Sequence, residues 1–316
     1  ANGTDALQVA LMGLGLKPGD EVITPSFTFI ATAEVVALLR LTPVVVDVDK
    51  ETYCMDPAAV ERAITPHTKA IVPVHLFGQC ANMDAIMDIA KRHNLYVVED
   101  NAQAIGANYT FKDGTVKKSG TIGHIGCTSF FPSKNLGCYG DGGAIFTNDD
   151  NLANMMRIVV NHGMQTRYYH DYVGVNSRLD AIQAAVLDIK LKHLDEYIAA
   201  RQYAAAYYEK AFSKTDKIIT PKTAPFTNHV YHQYVVVLNG LDRAKVMEHL
   251  QSKGIACAIY YPVALHMQKA YADPRYKKGD FPVCEYLCDH VLALPIHTEF
   301  TDEQLKYVTD AVLEMC

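Results

Sequence analysis

The segment SFFPSKNLGCYGDGGAIF, residues 129 to 146, places one cationic side chain, Lys134, among Phe130, Phe131, Pro132, Leu136 and Tyr139. None of these neighbours balances its charge, and lysines are seldom buried unpaired, so a solvated loop position is the ordinary reading. Asp100 poses the complementary problem. It ends a run that is apolar through Leu95, Tyr96, Val97 and Val98, where a carboxylate is poorly solvated unless something positive meets it. A buried structural ion pair is one answer. The other is a shared site in which an apolar pocket lowers the hold of Lys134 on its proton, so that its free amine can condense with an aldehyde to form a Schiff base. Asp100 would then keep a cofactor's ring nitrogen protonated and strengthen the ring as an electron sink.

Other motifs are tested in the same way. The opening NGTDALQVAL sets Gly3, Thr4 and Asp5 at the start of an amphipathic helix, where free N–H groups and the helix dipole favour an anion; an ordinary cap by Thr4 or Asp5 is the alternative. GCYGDGG (137 to 143) has the glycines of a phosphate cradle, yet Lys134 precedes it and no GxxxxGK[ST] order occurs, which excludes a P-loop. No metal site is expected. HExxH and comparable spacings are absent, His75 and His162 read as structural histidines, and Cys284 and Cys288 lack a second pair. The eight cysteines are scattered, as in a cytoplasmic protein with reduced thiols. A net charge of -6 without a basic cluster argues against nucleic acid as a partner, and no apolar run reaches membrane-spanning length. The chain opens inside a motif without an initiator methionine, so an upstream segment is expected to be missing.

These residues need a scaffold. Short β-branched runs at 21–25, 43–49, 70–78, 95–103, 127–131 and 143–148 alternate with helical spacing, as in Asn82 to His93. Strand then helix, repeated, predicts a largely parallel sheet covered on both faces, with ligands beyond the carboxyl ends of the strands. That rule selects Phe27, Phe29, His75, Asp100, Gln103 and Ser129. From Ser177 one long helical pattern, with Leu179, Ile182, Val186, Ile189 and Leu194 as its buried stripe, is expected to link two domains. The large domain is placed at 1–212. A small C-terminal α/β domain follows at 213–316, with strands near 231–238 and 256–262 and helices near 242–253, 282–290 and 301–315.

At this point the chain resembles the DegT/DnrJ/EryC1/StrS family of sugar-nucleotide aminotransferases, which use pyridoxal phosphate. The matching segments are NGTDAL (2 to 7), PSFTFIATAE (25 to 34), VVEDNAQAIGA (97 to 107), SFFPSKNLGCYGDGGAIFTND (129 to 149), NHG (161 to 163), GVNSRLDAIQAA (174 to 185) and YYPVALHMQ (260 to 268). Seven motifs in family order cover nearly the whole chain. The resemblance implies an α/β, aspartate-aminotransferase-like (fold type I) architecture with a mixed, mostly parallel sheet. Within the family, the chain is most similar to enzymes that aminate carbon 3 of a UDP-linked keto-uronic sugar for surface polysaccharide or lipopolysaccharide precursors.

The resemblance also implies roles. Lys134 carries pyridoxal phosphate covalently and shuttles a proton; Asp100 partners the ring nitrogen, Gln103 the ring hydroxyl, and Phe29 stacks on the ring. The phosphate sits on the N–H groups around Gly3, Thr4 and Asp5, with Ser129 as a further donor. Asn176 reaches the phosphate of a neighbouring copy, with Arg178 near the same shared site, which implies a homodimer with shared pockets; capping the next helix is the alternative role for Asn176. Tyr260, Tyr261 and His266 face the substrate, the alternative for the tyrosines being amphipathic packing with hydroxyls outward. Glutamate is the implied amino donor and a nucleotide-linked keto sugar the acceptor. Two rivals remain: a sugar dehydratase, which would carry histidine in place of Lys134, and a non-catalytic regulatory or binding member.

Overall fold

The computed structural model describes residues 1–316. Its large sheet is built in chain order from α1 (Gly3–Gly13), β1 (Glu21–Pro25), α2 (Ala31–Leu38), β2 (Thr42–Val46), α3 (Pro57–Ala63), β3 (Thr68–Ile71), α4 (Met83–His93) and β4 (Tyr96–Asp100). A small hairpin, β5 (Asn108–Thr110) and β6 (Val116–Lys118), precedes β7 (Ile125–Ser129) and β8 (Gly143–Phe146). The strand order is β2-β1-β3-β4-β7-β8, parallel throughout except that β8 runs antiparallel to β7. The α/β class and the mostly parallel sheet expected from the sequence are therefore present. Strands buried on both faces read as apolar runs, and β1, β4 and β7 are buried over nearly their whole length, their buried polar residues Thr24, Glu99, Asp100, Thr128 and Ser129 falling toward the carboxyl ends.

The pairing of β4 with β7 decides where the site falls. Asp100 stands opposite Cys127, so the carboxyl ends of two neighbouring parallel strands bring Asp100 and Ser129 to the same edge. Helix α1 packs across β7 and β8 with its first turn against Ser129. A side-chain carbon on Gly3 would lie 2.6 Å from the Ser129 Cβ, so only glycine allows this approach.

Beyond β8 come α5 (Asp150–Val159), the hairpin β9 (Met164–Thr166) and β10 (Tyr169–His170), then α6 (Ala181–Leu191) and α7 (Leu194–Phe212). The small sheet consists of β11 (Ile218–Ile219), β12 (Tyr234–Leu238) and, after α8 (Arg243–Ser252) and α9 (Pro282–His290), β13 (Val291–Leu294); α10 (Asp302–Leu313) closes the chain. The first half of α7 contributes Leu194 and Ile198 to one apolar cluster and its second half contributes Ala204, Tyr208 and Phe212 to another. One helix thereby couples the two sheets. No helix is long and apolar enough to cross a membrane.

Three expectations need correction. The long helical pattern after Ser177 breaks at Lys192 and His193, and its expected stripe is buried only in part: Leu194 is core and Leu179 and Val186 are half-buried, but Ile182 is 76% and Ile189 63% exposed, and Leu187 faces inward instead. The break lets α7 turn toward the second core while α6 stays against the first. The run 256–262 forms no strand; only Ala258 bridges, to Ala293, and the third strand is β13, four buried apolar residues directly after α9. The run 70–78 ends early because Pro73 has no N–H for the ladder, leaving Val74 a single bridge to Asp100.

Candidate active site

Lys134 sits in the turn after β7, its N–H donating to the Phe131 carbonyl at 2.8 Å. Asn135 anchors that turn from within: its Nδ2 donates 2.8 Å to the Val230 carbonyl. Half-buried, the Lys134 amine loses solvation, which pulls its pKa down to about 8 despite the opposing attraction of Asp100. Asp100 is 5% exposed. Its Oδ2 accepts from the Thr32 hydroxyl at 2.8 Å and its Oδ1 from the Ala102 N–H at 3.1 Å. Burial pushes this carboxyl upward, more than Thr32, Ala102, Lys134 and His75 pull it down. No ion pair joins Lys134 to Asp100. The end of the sheet thus brings together an amine short of solvation and a carboxyl short of positive charge, a combination that a protonated heterocycle would satisfy.

The anion end is equally specific. Asn2, not Thr4 or Asp5, caps α1, its Oδ1 accepting from the Asp5 N–H at 2.8 Å. The Gly3 and Thr4 N–H groups lie ahead of the first intrahelical bond and lack helical partners. The Asp5 carboxylate turns aside to accept from the Ser177 hydroxyl at 2.9 Å. Ser129, at the end of β7, has its hydroxyl beside Gly3 and otherwise accepts only a long 3.3 Å bond from the Phe131 N–H. Helix amides and hydroxyl converge where a phosphate would sit.

Gln103 and Tyr261 form the third wall. The Gln103 Oε1 accepts from the Phe77 N–H at 2.8 Å and its Nε2 donates to the Tyr261 hydroxyl at 2.9 Å, leaving one amide hydrogen for a ligand. The Tyr261 ring lies 6.3 Å from Phe77, nearly parallel, and 5.9 Å from Phe27, edge-on. Its hydroxyl points inward, so outward-facing packing does not describe it, and burial raises its pKa. Phe29 stands at the mouth, 54% exposed with its ring 6.4 Å from Tyr261, a flat surface open to a stacking partner. Tyr260 packs against Tyr261 at 5.9 Å and is half-buried.

Three expected residues are not brought into this group. Asn176 and Arg178 are exposed; Asn176 bridges Asn161, and Asp180 rather than Asn176 occupies the cap position of α6. His266 has a fully buried side chain whose Nε2 lies 3.1 Å from the Glu285 Oε1 and whose ring meets Phe281 edge-on, so as placed here it offers no surface to a substrate. Other residues were not legible in the sequence. Thr32, which orients Asp100, lies 68 positions away, and no local spacing rule pairs them. Glu99 and Asp100 are adjacent in a strand and so point to opposite faces. Behind Asp100, Glu99 pairs with the His75 Nε2 at 2.8 Å and accepts from the N–H groups of Gly120, Ile122 and Gly123. Burial raises the Glu99 carboxyl, but His75 and these amides outweigh it and hold the group below its usual value. The His75 Nδ1 accepts from the Ala81 N–H, which leaves its Nε2 as the protonated nitrogen facing Glu99.

The chain is similar to known proteins along nearly its full length. A Pseudomonas aeruginosa UDP-2-acetamido-2-deoxy-3-oxo-D-glucuronate aminotransferase is 48% identical over 312 residues, 99% of this chain and 84% of that protein. A Geobacillus stearothermophilus pleiotropic regulatory protein is 46% identical over 315 residues, 99% of this chain and 83% of that one. The crystal structure of NtdA from Bacillus subtilis with bound cofactor PMP matches with a TM-score of 0.89 at 33% identity, over 99% of this chain and 72% of its own. Residues 1–313 match one family of enzymes throughout, and the chain belongs to it: the DegT/DnrJ/EryC1/StrS aminotransferase family.

Proposed function

We propose that this aminotransferase holds pyridoxal phosphate covalently on Lys134 and moves an amino group from glutamate to carbon 3 of a UDP-linked keto sugar. The observation that carries the cofactor assignment is that Lys134 and Asp100, both short of solvation, act on each other's charge without forming an ion pair, while Ser129 at the same sheet edge meets Gly3 in the first turn of α1. The sugar assignment rests on the similarity to the Pseudomonas aeruginosa aminotransferase. Pyridoxal phosphate, when bound, supplies the electron sink for the pair left behind when a proton leaves the donor carbon.

The chain's own residues do the rest. Lys134 Nζ, with its pKa near 8, takes up and returns that proton close to neutral pH. Asp100, oriented by Thr32 and Ala102, would accept a hydrogen bond from the ring nitrogen and keep it charged. The free amide hydrogen of Gln103 serves the ring hydroxyl, and the exposed face of Phe29 stacks on the ring. The free N–H groups of Gly3 and Thr4 and the Ser129 hydroxyl would hold the phosphate; Asp5, expected to share in this, has its N–H taken by the Asn2 cap. Tyr261, bonded to Gln103, would border the cofactor, and Tyr260 the substrate.

Completion of the pocket by a second copy fits the surface. Asn176 and Arg178 are exposed, and one outer face of α6 carries Ile182 and Ile189, seven residues apart and uncovered in one chain. In a two-fold homodimer each copy lends Asn176 and Arg178 to the other's site. Arg178 then serves the nucleotide sugar or the donor.

Borohydride reduction and peptide mapping should place a cofactor adduct on Lys134; an adduct elsewhere overturns that assignment. Mass-spectrometric screening of UDP, TDP and GDP keto sugars should return a glutamate-dependent amine only with a UDP sugar. The relative called a pleiotropic regulatory protein favours a second reading, a binding role, which predicts no spectral change with any amino donor.

A further inference from the structure

Three residues that border one pocket, Arg201, His232 and Gln233, each keep a buried polar atom without a hydrogen-bond partner: Nε, Nδ1 and Oε1. The pocket measures about 280 Å³ and is bounded as well by Ser133, the residue before Lys134, and by Tyr260. Arg201 reaches it from α7 and is only 9% exposed. Its Nη1 donates to the carbonyls of Tyr231, His232 and Ile296 at 3.0 to 3.3 Å. No carboxylate pairs with it.

A guanidinium is a planar fork, and with Nη1 committed to the backbone and Nε sealed, Nη2 is the nitrogen left to donate to a partner. A buried cation without a counter-charge is costly, so the complement of this pocket is an anion. His232 is neutral, held so by burial and by the charges of Lys134 and Arg201, and Gln233 is uncharged; both add hydrogen bonds but no competing negative charge. Pockets for drug-sized ligands run from about 300 to 1,000 Å³, so this one suits a molecule of amino-acid size rather than a nucleotide sugar. Exposed Arg178 lies outside it.

We propose that this pocket receives a carboxylate of the amino donor and of its 2-oxo acid product, with Arg201 Nη2 as the charged donor and the Gln233 amide Nε2 as a second donor. The proposal rests on the aminotransferase reading and names the donor side of that site.

The test uses the cofactor-loaded protein after borohydride reduction, which cannot turn over, titrated calorimetrically with glutarate and with uncharged glutaramide. Wild type should bind glutarate and not glutaramide. Arg201→Lys should weaken glutarate by about tenfold to a hundredfold and Gln233→Leu by about tenfold, the range for lost hydrogen bonds to a charged group. In unreduced protein the same variants should raise the KM for glutamate more than they lower kcat. Should Arg201→Lys fail to fold, Gln233→Leu decides. Glutarate affinity equal in wild type and variants, or no glutarate binding by wild type, overturns the pocket. Wild type that converts no amino donor to a 2-oxo acid refutes the aminotransferase reading instead, a separate result.

Discussion

Replacing Asp100 by asparagine removes a charge while keeping the shape around it. The amide oxygen can still accept from the Ala102 N–H, and the new NH2 can donate to the Thr32 hydroxyl, which serves equally as acceptor. Both contacts survive, so the fold should survive. What is lost is the charged acceptor for a ring nitrogen at a site 5% exposed. Hydrogen bonds to charged groups contribute about 1.5 to 3 kcal/mol net, or roughly tenfold to a hundredfold in affinity. In a Lys134→Ala background, where binding is reversible, pyridoxal phosphate at 1,000 times its Kd should stabilise the chain by about 4.1 kcal/mol in urea titrations. Adding Asp100→Asn at the same concentration should cut this to between about 2.7 and 1.4 kcal/mol. The cofactor-free chain supplies a control of known sign. Burial raises the Asp100 carboxyl in the native state, so its destabilising effect is absent below the unfolded value of about 3.9 and grows as pH rises through the folded one. The stability of wild type minus that of Asp100→Asn should therefore fall as pH rises from about 3.9. Unchanged cofactor affinity in the variant would refute the ring-nitrogen assignment, and a pH-independent difference would refute the account of burial.

Four further outcomes are expected. The rate of cofactor attachment to the cofactor-free protein should rise about tenfold per pH unit below the Lys134 value of about 8 and level off above it, because only the free amine reacts; a flat profile, followed by stopped-flow absorbance, contradicts a desolvated lysine. Glu99→Gln strips the charge from the buried pair with His75 and turns an NH2 toward backbone N–H donors, so chemical denaturation should show a loss of about 3 to 5 kcal/mol. Gly3→Ala drives a carbon to 2.6 Å from the Ser129 Cβ; it should weaken pyridoxal phosphate more than phosphate-free pyridoxal, and equal weakening would move the phosphate elsewhere. Mixed dimers of Lys134→Ala and Asn176→Ala chains should recover activity through one intact pocket, and demonstrated heterodimers without activity would rule out the shared site.

Local pattern is enough to read the alternation of strands and helices, the parallel sheet it forces, and the edge at which ligands gather, because burial on both faces writes itself into each strand as an apolar run. Lys134, Asp100, Gln103 and Ser129 are legible for the same reason: a charged or polar residue at the end of such a run is conspicuous wherever the chain goes next. The break between α6 and α7, the identity of the third small-sheet strand, the Thr32 contact to Asp100 and the Arg201 pocket are not legible, since each depends on residues tens to hundreds of positions apart. Periodicity says that a helix has an apolar stripe but not which neighbour covers it, so Ile182 and Ile189 read as core and lie on the surface. Residue types and their spacing specify what chemistry is available. Which groups share a pocket, and which of them remain without a partner there, follows only from long-range packing, because burial and the loss of solvent that shifts a proton's affinity are properties of the folded neighbourhood.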